Sequence, residues 1–219
     1  GIAMGAFTPG RAGEFFRAWL PARSLGASLA AALASVVIDR LFDLAFLAMV
    51  SCAAGAFLLG FPWGGLLFLA PFLLYLFRLP LGRLLSFLTV RLPVPEDGRR
   101  QFFDACRRAL SGWPSLSMWT IAGYSFMNLQ VYVIARGLGA SVGFGELFLL
   151  FGLANAIALL PVSVLGLGTR EAALGALFLM TGHGEAHGVS IALSFFLLGS
   201  IPVVLAGAIW LIVHRFAAA

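Results

Sequence analysis

Four stretches of this chain carry no formal charge for longer than the core helix of a water-soluble domain requires. They are 34 residues between Asp43 and Arg78, 27 between Arg108 and Arg136, 23 between Glu146 and Arg170, and 29 between Glu185 and Arg215. A helix crosses bilayer hydrocarbon in about 20 residues. Backbone groups in lipid must bond within the spanning structure. Solid apolar runs meet that need as helices, whereas a barrel requires an apolar/polar alternation that these runs lack. Of the 219 residues, 11% are charged and 61% hydrophobic, against about 25% charged in soluble domains. Water-soluble, disordered, collagen-like and disulfide-scaffold classes are thereby excluded. One all-α, polytopic membrane domain over residues 1–219 is expected, with no soluble domain beside it.

The run Gly60, Phe61, Pro62, Trp63, Gly64, Gly65 breaks the first stretch. The pattern predicts helices over 25–59, 63–77, 114–135, 145–160 and 189–214, the last bent at Pro202. Between them, residues 78–111 form an extramembrane loop. Its seven arginines outnumber Glu96, Asp97 and Asp104, which places it in the cytoplasm by the positive-inside rule. Pro93, Pro95 and Gly98 mark a turn there, with residues 81–89 along the interface and 99–110 as an amphipathic helix. Helix 25–59 then runs outward, 63–77 inward, 114–135 outward and 145–160 inward. The C-terminus is cytoplasmic.

Two segments do not fit a simple span. Thr8, Pro9, Gly10, Arg11, Ala12, Gly13 and Glu14 form one; Pro161 through Gly166, Gly168, Thr169, Arg170 and Glu171 form the other. Each is a Pro/Gly stretch, then an Arg/Glu cluster, then a short helical run, the second over 170–182. Irregular backbone at membrane depth survives only when buried in protein or lining a watery cavity. Two re-entrant or broken-helix elements are expected, beside the plainer reading of two interfacial turns. The two short helices point in opposite senses, and each is followed by a long helix of reversed direction, which suggests an inverted-topology repeat.

Asp39, Arg40 and Asp43 interrupt an otherwise apolar helix. A charge at the bilayer centre costs about 2.5–3.5 kcal/mol on insertion scales, so such groups pair, face the bundle interior or mark a pathway. A structural ion pair and a polar path both fit. Arg11 with Glu14, and Arg170 with Glu171, stand at helix starts, where unbonded N–H groups attract anions. An arginine fork there suits a phosphate, unless the carboxylates merely neutralise the arginines. Arg17, Glu146, Asn128, Gln130 and Asn155 rank second, as interfacial or helix-packing groups. On this reading Asp39, Arg40, Arg11 and Arg170 converge on a hydrated chamber.

Cys52 and Cys106 have neither metal-ligand nor disulfide spacing. His183 and His187 are four apart, but Gly182, Gly184 and Gly188 favour a loop and no third ligand is evident, so no metal is expected. No cofactor motif is present. No basic patch with interleaved aromatics points to nucleic acid. Small residues such as Ala30, Ala34, Gly152, Ala156, Gly199 and Ala206 read as helix-packing positions.

The segment from Thr8 to Glu14, followed by Arg17, Arg23, Asp39, Arg40 and Asp43, resembles the front signature of the lysylphosphatidylglycerol synthase transmembrane-region family, a group of flippase-like membrane proteins. The stretch from Pro161 to Ala172 is similar to that family's second signature, a Pro/Gly turn leading to Arg-Glu-Ala. Val164 and Leu165 stand where the family often has Pro or Gly. The resemblance implies a lipid-handling domain of the bacterial inner membrane, with Arg11, Glu14, Asp39, Arg40, Arg170 and Glu171 carried over. Family members are usually longer, with helices upstream, which fits a chain beginning at Gly1 rather than Met. Some carry a fused aminoacyl-transfer domain, and these residues hold none. A translocase for an anionic phospholipid or polyprenyl-phosphate-linked lipid leads. A membrane enzyme on a lipid-linked substrate, or a non-catalytic partner of a lipid synthase or glycosyltransferase, stands beside it. A homodimer is compatible with either.

Overall fold

The computed structural model describes residues 28–61, 96–160, 166–202, 205–206 and 209. Every described element is a helix, as expected. In chain order they are α1 (Leu29–Leu58), α2 (Glu96–Ser111), α3 (Trp113–Gly137), α4 (Phe144–Ala158), α5 (Thr169–Met180) and α6 (Glu185–Phe195). A π-helical turn over Phe196–Ser200 continues α6. The expected helices over 63–77 and 81–89, and the segment 8–17, lie outside the described residues.

Helix α1 starts where Ser28 Oγ accepts the Ala31 N–H at 3.2 Å, a standard N-cap arrangement. Its 30 residues extend about 45 Å. Among the described residues it is the one helix both long and apolar enough to cross a membrane. It closes at Gly60, where the N–H groups of Gly60 and Phe61 bond the carbonyls of Phe57 and Ala56. This Schellman arrangement satisfies the last carbonyls, and it recurs at Gly139 after α3 and at Gly182 after α5.

Helix α3 has 25 residues, but Asn128, Gln130, Tyr124 and Tyr132 lower its hydropathy. The placement of those residues is informative. Trp119, Phe126, Leu129 and Val133 point outward, with 51–74% of their surface exposed, while Asn128 is 2% exposed. That is the reverse of a soluble amphipathic helix, which turns its apolar stripe to the core.

Among the described residues, three apolar clusters hold the helices together. Phe102, Ala105, Cys106 and Ala109 of α2 pack on Ala34, Ile38, Leu41 and Phe42 of α1. The amphipathic helix expected at 99–110 is therefore present, and its apolar face is taken up by α1. Burial pushes the Cys106 thiol above its ordinary pKa. Further along α1, Phe46 stacks on Tyr124 at 4.5 Å between ring centroids and meets Phe148 edge-on at 6.3 Å. Val50 fills the space where a side chain on Gly152 would stand. The largest cluster joins α3 to α6 through Val131, Leu147, Phe151, Leu174, Phe178 and Ile191.

Helices α5 and α6 form a hairpin with backbone-to-backbone contact. A Cβ on Gly188 would fall 2.5 Å from the Leu174 carbonyl oxygen and 2.8 Å from Gly175 Cα. The loop expected from Gly182 to Gly188 is thus corrected: Gly184, at φ +83°, ends it, and His187 and Gly188 belong to α6. Gly188 serves close packing. Ahead of Pro202, where a bend is expected, α6 passes into the π turn. The Ile201 N–H reaches the Phe196 carbonyl, five residues back. Proline lacks the N–H that would bond the carbonyl four residues earlier and its ring crowds that group, so the preceding turn widens.

The contacts sort the helices into two ends. Leu116 joins the Ala34–Ile38 cluster and Tyr124 stacks on Phe46, so α1 and α3 run the same way. Tyr132 meets Phe144 at 5.5 Å across the next connection, so α4 runs back. One end holds the close of α1, the α3–α4 connection and the α5–α6 connection. The other holds the Asp39–Asp43 part of α1, α2, the close of α4 and the start of α5.

Two predictions follow from the packing. Gly188→Ala should lower stability by about 1–3 kcal/mol, the usual cost of overpacking, whereas Gly123→Ala, with nothing within 4 Å of the added methyl, should raise it by about 0.5–1 kcal/mol; thermal unfolding in detergent compares them. With Cys52 changed to serine, maleimide should label Cys106 slowly, and Phe102→Ala should speed that labelling several-fold by loosening α2 from α1.

Candidate functional site: the turn before α5

The turn that launches α5 needs two glycines. Gly166 has φ +74° and Gly168 φ +83°, the left-handed region that costs other residues about 1–2 kcal/mol. The Gly166 carbonyl accepts the Arg170 N–H at 3.0 Å and the Thr169 hydroxyl at 3.0 Å. The Glu171 side chain folds back, and its Oε2 accepts the Gly168 N–H at 2.6 Å. This is half of a capping box; the other half needs a side chain that Gly168 lacks. A carboxylate here also meets the positive end of the α5 dipole.

Arg170 is 4% exposed and Glu171 8%. The Arg170 guanidinium carbon lies 5.6 Å from the centre of the Phe195 ring, within cation–π range. Phe195 is held edge-on by Phe151 at 5.1 Å. Arg170 Nη2 lies 3.5 Å from where a Gly166 Cβ would fall, and Ala158 Cβ 2.9 Å from that point. Bare backbone at Gly166 thus lets the guanidinium settle between the close of α4, the turn and α6. The second Glu171 oxygen, Oε1, is buried and accepts no hydrogen bond from the described residues.

Asp39, Arg40 and Asp43 are joined to one another. Arg40 Nη2 is 3.0 Å from Asp39 Oδ2 and 2.9 Å from Asp43 Oδ2. Their side chains are 52%, 30% and 25% exposed respectively. Helix α1 packs on α2, α3 and α4, and α5 packs on α4 and α6, so α4 stands between the trio's helix and Arg170. Both clusters nonetheless occupy the same end of the bundle. Of the remaining expected residues, Arg11, Glu14, Arg17, Pro9, Gly10, Gly13 and Pro161 lie outside the described residues. Of the four residues expected to converge on a chamber, Asp39 and Arg40 are separated from Arg170 by α4, and Arg11 is outside the described residues.

Among the second-rank residues, Asn128 and Asn155 bond back to the carbonyls of Tyr124 and Phe151 at 2.8 and 3.0 Å. Glu146 has a partner that sequence reasoning missed: His183 Nε2 donates to its Oε1 at 2.9 Å. The clue was the glycine after α5, which turns His183 back toward the start of α4. His187 Nδ1 donates to the His183 carbonyl at 3.2 Å. Among the described residues, no group of three or more His, Cys, Asp or Glu side chains is placed to hold a metal. Phe195, also missed, is an apolar residue whose role depends wholly on what it faces.

The two glycines are separable by experiment. Both Gly166→Ala and Gly168→Ala should cost about 1–2 kcal/mol for the left-handed backbone, read as thermal stability in detergent. Gly166→Ala should cost more, since only its methyl meets Ala158, and adding Ala158→Gly should recover part of that difference.

The family described as "Lysylphosphatidylglycerol synthase TM region" matches residues 1–207. No curated protein and no solved structure matches.

Proposed function

From the premise that the chain belongs to the lysylphosphatidylglycerol synthase TM region family, we propose that it is a lipid translocase of the bacterial inner membrane, acting on a lipid with an anionic headgroup. The match is to the membrane region, and the chain is an integral membrane protein of transporter-like rather than catalytic type. The observation that carries the proposal is a buried arginine and a buried carboxylate at the start of a helix, inside an otherwise apolar bundle. Such groups are retained at membrane depth where they meet a polar ligand or a path for one. A guanidinium beside a helix N-terminus suits a phosphodiester.

Depth supports a re-entrant turn. Helix α4 has 15 residues, about 22 Å, against about 30 Å of hydrocarbon. If Glu146 and His183 mark one surface, the Gly166–Gly168 turn stops short of the other. Counting about 20 residues back from Leu58 puts Asp39 near that second surface, with the trio at its boundary. Arginine-rich α2 docks there, which supports a cytoplasmic side for residues 78–111 and the C-terminus. Outward-facing Trp119, Phe126, Leu129 and Val133 support α3 as a further span with its polar groups turned inward. A second copy, or a lipid-synthesising enzyme, would be the natural protein partner.

Reconstitution tests the proposal. In vesicles with a fluorescent anionic phospholipid, the purified chain should speed its exchange between leaflets over protein-free vesicles. Arg170→Ala should slow that exchange about tenfold or more, the loss of a hydrogen bond to a charged group. Arg170→Lys, which keeps the charge and loses the fork, should fall between. Exchange indifferent to Arg170 would overturn the assignment of this turn.

A further inference from the structure

We infer that one flank of α2, lined by Arg100, Phe103 and Arg107, binds the anionic surface of the lipid leaflet beside it, while the flank of Asp97 and Asp104 stays in water. The inference rests on the placement of α2 at the membrane boundary and is independent of translocation and of the α5 turn.

Residues three and four apart on a helix share a face, and this spacing divides α2 into three stripes. Phe102, Cys106 and Ala109 form the first, which is spent on α1. Glu96, Arg100, Phe103 and Arg107 form the second, and Asp97, Gln101, Asp104 and Arg108 the third. The charges are sorted between the two free stripes. Arginine outnumbers acid on the second, and acid outnumbers arginine on the third. All seven polar side chains of these stripes are exposed. Arg100 lies 3.8 Å from Glu96, with side chains 77% and 73% exposed. Water and salt screen such a pair, so a phosphate can displace the carboxylate.

Phe103 sets lipid apart from water as the partner of the second stripe. Its ring meets Phe102 edge-on at 5.7 Å, and Phe102 packs on α1. The phenyl group is therefore held at the margin of the docked face, half-buried, between two arginines of its own stripe. An apolar ring flanked by arginines is the composition of a helix lying in the headgroup layer. The ring reaches toward the acyl boundary and the guanidinium groups take phosphates. The place agrees. Helix α2 docks on Ala34, Ile38, Leu41 and Phe42, astride Asp39, which the count back from Leu58 puts near the membrane surface. An anionic leaflet attracts Arg100 and Arg107 and repels Asp97 and Asp104, so its charge selects which flank turns toward it.

A fluorophore on each flank tests this in the full chain, with Cys52→Ser and Cys106→Ala as background. The label is placed through Phe103→Cys or through Gln101→Cys. The chain is reconstituted in vesicles of phosphatidylcholine, alone or mixed with phosphatidylglycerol, carrying a headgroup-linked spin-label quencher. In the anionic vesicles the label at 103 should be quenched several-fold more than the label at 101. High salt or neutral lipid should bring the two together, since surface charge is screened within a Debye length. Arg107→Gln should shift the docking equilibrium of the 103 label about fivefold toward water. Arg107→Lys should retain docking, and Arg108→Gln, on the other flank, should leave it unchanged. Unaltered thermal unfolding of these variants verifies that α2 stays on α1. Equal quenching at both positions, quenching at 103 that ignores lipid charge, or equal effects of Arg107→Gln and Arg108→Gln would each overturn the inference. Shielding of 103 that grows with protein density in neutral vesicles would make a second copy the occupant and overturn it too. The translocase reading stands or falls separately, on leaflet exchange.

Discussion

A helix that begins inside an apolar bundle exposes backbone N–H groups with no water at hand to bond them. At the start of α5 this constraint decides the local structure. Gly166 and Gly168 curl the chain so that one carbonyl takes two donors, and Glu171 reaches back for a third. The requirement for two left-handed residues, an acid at the third helical position and room for a guanidinium is what makes the segment recognisable. Each part serves the others. Without bare backbone at Gly166 the guanidinium has no seat beside Ala158, and without Phe195 it has no face to lie on.

The rest of the bundle is arranged so that this turn can exist. Helix α4 comes down against α1 through Gly152, and α6 lies on α5 through Gly188. Small residues substitute for the hydrophobic drive that lipid-facing helices lack, because shape and close contact are what remain. Polar groups on these helices face each other or their own backbone. Asn128 and Asn155 bond carbonyls one turn back, and the outward surface of α3 is left to tryptophan, phenylalanine, leucine and valine.

Much of this was legible in the residues. Charge-free runs located α1, α3 and α4 within a few residues, and the Pro/Gly/Arg/Glu pattern located the start of α5. The polar and apolar spacing over residues 99–110 located α2. Three things were hidden, each for a reason. His187 and Gly188 were read as loop because glycine spacing cannot distinguish a turn from a point of backbone contact; only the partner helix settles it. The π turn before Pro202 was not foreseen, since a proline's effect falls on the carbonyls preceding it. Asp39, Arg40 and Asp43 fitted both a structural ion pair and a polar path. Their side chains meet one another first, and sequence spacing alone permits both arrangements.

The contact between Gly188 and the Leu174–Gly175 backbone has a mechanical consequence. At that point main chain rests on main chain, with no soft side chain between to absorb a displacement, which stiffens the hairpin locally. Its two ends are unlike. One is tied to α4 by the His183–Glu146 bond, and the other carries Arg170 against Phe195 just ahead of the widened π turn. The rigid contact at Gly188 thus stands between the His183 end of the hairpin and the end that seats the guanidinium, and the π turn lies just beyond it.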